Sequence, residues 1–83
     1  MGDTMTMAYI LISTKPGTSE NVAESLRGDS RVVRADSVYG RFDVIALVRV
    51  QDLKALDDVV YKVIGSNPDV VHTETAIILF KRQ

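Results

Sequence analysis

The sequence predicts an α+β sandwich in which two helices cover one face of a four-stranded antiparallel sheet. Three observations predict it. Four short segments rich in β-branched and aromatic residues are bounded by Gly, Pro, Asn and Asp, the mark of strands. Two intervening stretches carry apolar residues at spacings of three and four, the mark of amphipathic helices. The middle two strands are joined directly by a glycine-containing turn, Tyr39-Gly40-Arg41-Phe42-Asp43, with no room for a helix between them. The order is therefore β-α-β-β-α-β, the ferredoxin-like arrangement.

Each element has a local cause. Met7 to Ser13 forms the first strand, and Lys15-Pro16-Gly17 stops it. Thr18 or Ser19 caps the first helix, Glu20 favours its positive end, and Gly28 ends it. Val22, Ala23 and Leu26 share one face of that helix. Arg31 to Val38 and Phe42 to Val50 are the second and third strands. Asp52 caps a second helix with an apolar stripe of Leu53, Leu56, Val60, Val63 and Ile64, and Gly65-Ser66-Asn67-Pro68 terminates it. Val70 to Phe80 is the fourth strand, followed by the basic Lys81-Arg82. The two halves repeat a topology, not a sequence.

The strands are apolar on both sides. Ala8, Ile10 and Ile12 oppose Met7, Tyr9 and Leu11, and Val44, Ala46, Val48 and Val50 oppose Ile45 and Leu47. A half-solvated antiparallel strand alternates apolar with polar, and the helices can cover only one face. Burying one Ile or Leu is worth about 1.5–3 kcal/mol, so several left in water would cost a large part of a small domain's stability. A second copy packed sheet to sheet is the expected cover, giving a homodimer.

Composition narrows the function. The chain has 83 residues and a net charge of -1, with 10 basic and 11 acidic residues scattered along it. That is room for one domain, assigned to residues 7–83 after a flexible leader at residues 1–6. No basic stripe is present to neutralise phosphates, so direct DNA binding is not expected. Cysteine is absent, which removes disulfides, thiolate nucleophiles and Cys-ligated zinc and suits a reducing cytoplasm. No apolar run reaches the roughly 18 residues of a membrane span, and no secretory signal pattern precedes the first strand.

The hairpin is the strongest candidate site. Gly40 allows a positive φ and close approach of a ligand to backbone amides. Asp43 can accept from an ammonium group or from N–H donors. Other groupings carry less. His72 and Glu74 form an i, i+2 pair, two ligands where a tight metal site needs more, and no second histidine exists. Asp57 and Asp58 are neighbours on a helix and point about 100° apart, so they do not share a site. The serines lack a histidine base at any recognisable spacing. Thr73-Glu74-Thr75 opens the fourth strand, where threonine suits a strand and a carboxylate suits water. No cofactor and no metal is expected.

Taken together, Val38-Tyr39-Gly40-Arg41-Phe42-Asp43-Val44, the capped helix after it, and Asn67-Pro68-Asp69-Val70-Val71-His72-Thr73-Glu74-Thr75 resemble the effector-binding RAM domain of the Lrp/AsnC transcription regulators. The resemblance runs from residue 7 to residue 81. It implies a ferredoxin-like domain that dimerises through its sheet, with dimers joined into rings as octamers or decamers. It also implies an amino-acid effector bound between dimers. Carried onto this chain, the ligand-binding positions are Tyr39, Gly40, Arg41, Phe42 and Asp43, with Thr73, Glu74 and Thr75 from a neighbouring subunit. The family's full-length members carry a helix-turn-helix domain before this one, whereas the first strand here begins by residue 7. The expectation is a stand-alone form that acts without DNA contact, in concert with full-length regulators or as an amino-acid sensor, and is not an enzyme. The alternative is a dimeric α+β barrel enzyme acting on a small organic substrate, which shares the fold and needs polar residues inside the sheet pair.

Overall fold

In the computed structural model, which describes residues 5–80, the predicted element order is present. It runs β1 (Thr6–Thr14), α1 (Ser19–Leu26), β2 (Val32–Ser37), β3 (Val44–Val50), α2 (Leu53–Asp58) with a π-helical continuation (Val59–Ile64), and β4 (Val70–Ile77). The sheet order is β2-β3-β1-β4, with every neighbouring pair antiparallel. This is the ferredoxin-like sandwich. β1 is a central strand, pairing Ile10 with Ala46 on one side and with Thr75 on the other.

The two faces divide by alternation. Ala8, Ile10 and Ile12 of β1 and Val44, Ala46, Val48 and Val50 of β3 are buried beneath the helices with Val22, Ala23, Leu26, Val59 and Ile64. Tyr9, Leu11, Ile45 and Leu47 lie on the opposite face, which no helix covers, and Tyr9 is 44% exposed. The two-sided apolar character of β1 and β3 thus appears as one closed face and one open one. Arg34 and Asp36 on β2 edge the open face with an ion pair at 2.9 Å, and on β4 His72 Nε2 stands 3.6 Å from Glu74 Oε2.

Several boundaries differ from expectation. Thr6, assigned to the leader, pairs with Val50 in β1, while residues 1–4 of that leader and the basic Lys81-Arg82 lie outside the described residues. Arg31 and Val38 fall outside β2, and Phe42 falls outside β3. β4 ends at Ile77, although Ile78 N–H still donates to the Met7 carbonyl at 2.9 Å. Leu79 and Phe80 leave the sheet, and Phe80 is 87% exposed. Thr18 occupies the N-cap of α1 without capping it, because its hydroxyl donates to the Lys15 carbonyl at 2.7 Å. Asp52 caps α2 as expected, accepting from Ala55 N–H at 2.8 Å.

The π-helical turn departs from the predicted α-helical spacing, and it changes the buried stripe. Leu56, Val59 and Ile64 are buried, at spacings of three and then five, while Leu53 is 59% exposed. The Gly65 N–H donates to the Val60 carbonyl at 2.7 Å, a π-type bond. A Cβ on Gly65 would stand 3.0 Å from both the Val60 and Tyr61 carbonyl oxygens, so glycine permits this ending.

Arg31 ties the α1–β2 turn to α2. It meets Asp29 at 3.0 Å and Asp58 at 3.1 Å, and Lys62 adds a second contact to Asp58 at 3.4 Å. Hydrogen bonding from Arg31 holds both carboxyls below their ordinary value of 3.8. A depressed folded-state pKa contributes stability above the unfolded pKa and loses it as pH falls through the folded one.

Two outcomes are expected. Ile10→Ala removes a fully buried branched side chain and should cost about 2–5 kcal/mol, read as a lower urea midpoint. Arg31→Met should lower the melting temperature at pH 7, and the difference from the parent chain should shrink as pH drops below about 4, because protonating Asp29 and Asp58 removes the same contacts. A constant difference from pH 7 to pH 2 would refute the second.

Candidate functional site

The β2–β3 connection runs from Val38 to Asp43. Val38 N–H donates to the Asp43 carbonyl at 2.8 Å and closes the loop. Gly40 has φ +157°, with nothing within 4 Å of where a Cβ would stand. Tyr39 is fully exposed, at 106%, and Gly40 and Arg41 are exposed with it. Arg41 has no hydrogen-bond or ion-pair partner among the described residues. Phe42 and Asp43 are half-buried at the base.

Asp43 has a definite structural task. Its Oδ2 accepts the Thr14 N–H at 2.8 Å, and its own N–H donates to the Ile12 carbonyl at 2.9 Å. Thr14 is where the β1–β4 register shifts, so its amide needs a partner outside the regular ladder. Of the two roles open to Asp43, the structure fills the bracing one, and the braced amide belongs to β1 rather than to the loop. Thr14 had no signal in the sequence, since a backbone N–H leaves no trace in residue identity.

Thr73, Glu74 and Thr75 lie on the other side of β1. They pair with Ile12, Leu11 and Ile10 respectively. Alternation puts Thr73 and Thr75 on the helix face and Glu74 on the open face, where its Oε2 stands 3.6 Å from His72 Nε2. The base of the hairpin and the start of β4 occupy the same end of the sheet, since Val44 and Thr73 both pair with Ile12. Two strand spacings separate them, roughly 10 Å. One protomer therefore does not bring the two groups into a single pocket.

The cavities lie elsewhere. A groove of about 370 Å³ runs between α2 and β4, lined by Leu53, Leu56, Val60, Tyr61, Thr75 and Ile77. Thr75 is the one predicted site residue on it. A second, shallower groove of about 500 Å³ follows the outer side of α2, past Arg31, Lys54, Asp57 and Tyr61. Asp58 is engaged by Arg31 and Lys62, while Asp57 lines this groove. No group of three metal-ligating side chains occurs among the described residues, and no described helix is long and apolar enough to cross a membrane. What the hairpin offers chemically is a set of exposed peptide donors beside a cation, on a base held rigid by Asp43.

Comparison with known proteins gives this arrangement a family. The model of the Lrp/AsnC ligand-binding domain matches residues 7–82. No curated protein matches the chain. Among solved structures, the chain is 32% identical to TTHA0845 from Thermus thermophilus, covering 94% of this chain and 98% of that one at a TM-score of 0.87. It is 34% identical to FFRP-DM1, covering 89% and 99% at a TM-score of 0.84. It shares the fold of the transcriptional regulator NMB0573 from Neisseria meningitidis, solved as a complex with L-Met, at 20% identity and a TM-score of 0.83. That match covers 94% of this chain and 52% of the regulator. With nearly its whole length matched by the family, this chain belongs to the Lrp/AsnC ligand-binding domains.

Proposed function

We propose that this chain is an amino-acid-sensing oligomeric module that binds a small effector where dimers meet and so regulates transcription in the cytoplasm. The observation that carries the reading is the hairpin. Its tip presents bare backbone around Gly40 and an unpaired Arg41, while Asp43 anchors its base to β1. A zwitterion's carboxylate suits those N–H donors. Half of such a site stands on the protomer, and Thr73, Glu74 and Thr75 of another copy would complete it. The neighbour solved with L-Met supports an amino acid as the class of effector.

The assembly follows from the open face. Tyr9, Leu11, Ile45 and Leu47 form a largely aliphatic surface, which suits packing against a second sheet and offers little to a reaction. The barrel-enzyme alternative needs polar groups there. Dimers would then gather into octamers or decamers. An effector bound between dimers must favour the ring in proportion to its tighter binding there. Full-length relatives with the same sheet could join mixed assemblies, giving a route to transcription without DNA contact by this chain.

Isothermal titration against the twenty amino acids, paired with light scattering, tests the reading. Heat from a small subset together with a changed mass is the expected result. No heat from any of them would end the sensor reading. Asp43→Ala should leave the half-buried Thr14 amide unpaired and cost about 1–3 kcal/mol of stability. Asp43→Asn keeps an acceptor and should cost less. Equal losses in urea unfolding would refute the bracing role.

A further inference from the structure

The two edges of the sheet are unequally defended. β2 is 6 residues long, is interrupted by a register shift between Val32 and Arg34, and carries the Arg34–Asp36 ion pair. Short, irregular, charged edges resist pairing with other strands. β4 is also a terminal strand of the sheet, but it has 8 residues, no proline and no lysine. Its one irregularity lies at its start, opposite Ser13 and Thr14. Apart from Val70 and Thr73, every residue of β4 is exposed. Such an edge is a template for another strand.

We propose that β4 pairs antiparallel with β4 of a second copy, about a two-fold axis through Thr73. Geometry restricts the register. A two-fold normal to the sheet keeps each residue on its own face, so the pairing must be centred on a residue and not between two. Centring on His72 opposes two imidazoles, and centring on Glu74 opposes two carboxylates. Centring on Val71 sets His72 and Glu74 against Val70 and Pro68, and centring on Thr75 sets them against Ile78 and Ala76. Only the Thr73 register places His72 opposite Glu74 of the second copy, and does so twice. It also opposes the two Thr73 hydroxyl side chains, a favourable cross-strand pair. The overlap then runs from residue 70 to residue 76, an ordinary strand length.

The contact stands whether or not the chain binds an effector. Its axis is normal to the sheet, so both open faces end on the same side and stay free for sheet-to-sheet packing. Two different two-folds of this kind generate a closed ring when their axes intersect suitably. The edge pairing would also bring two copies of Thr73-Glu74-Thr75 together at one junction.

The chain has no cysteine, so single-cysteine variants report the register. Thr73→Cys should link two copies by a disulfide under mild oxidation, since paired residues on neighbouring strands lie within disulfide reach. Thr73 faces the helices, so sheet-to-sheet packing cannot produce that link. Thr75→Cys should not link, because its counterpart would stand four residues away along the strand, roughly 13 Å. In the parent chain, His72→Glu should weaken self-association on the order of tenfold, read by native mass spectrometry over a dilution series. The double variant His72→Glu/Glu74→Lys should restore it. Failure of Thr73→Cys to link, equal linking by Thr75→Cys, or a mass insensitive to His72→Glu would each overturn the proposal.

Discussion

The structure depends on β1, a strand that is apolar on both faces and hydrogen-bonded on both edges. Its inward residues Ala8, Ile10 and Ile12 have no exposed surface, and its outward ones include Tyr9 and Leu11. β3 flanks it on one side and β4 on the other. The helices close one face only, which leaves an apolar sheet surface in search of a cover. Apolar side chains left half-buried on that face are costly for so small a domain.

The same strand organises the candidate site. Where β1 runs out at Thr14, its register with β4 slips, and the Asp43 carboxylate takes the amide that the ladder leaves over. The hairpin is thereby pinned at its base while its tip stays in water. A ligand loop needs both properties. A tip without the anchor would lose more entropy on binding, and an anchored tip packed on its own protomer would offer no donors. On the far side of β1, β4 carries threonines and a His–Glu pair along an undefended edge. The chain thus presents a hairpin and a strand edge at one end of the sheet, two strand spacings apart.

Helix α2 shows how packing overrides periodicity. Its sequence spacing fits an α-helix throughout, yet the second half is π-helical and buries Val59 fully, with Val60 and Val63 half-buried against the core. The widened turn brings Ile64 back to the core, and Gly65 accepts the close approach of two carbonyls. The groove between α2 and β4 lies beside this segment, lined in part by Val60 and Tyr61.

The element order, the two apolar stripes of β1 and of β3, the Asp52 cap and the glycine hairpin were all legible in the residues, because local propensity and alternation act over a few neighbours. The family resemblance rested on the same hairpin. Other features required three dimensions. That Asp43 braces β1, and that Thr73 and Thr75 take the helix face while Glu74 takes the open one, follow from register between strands far apart in the chain. The amide of Thr14, the length of β1 and the π turn are backbone facts, and backbone hydrogen bonds are set by which segments meet, not by which side chains they bear.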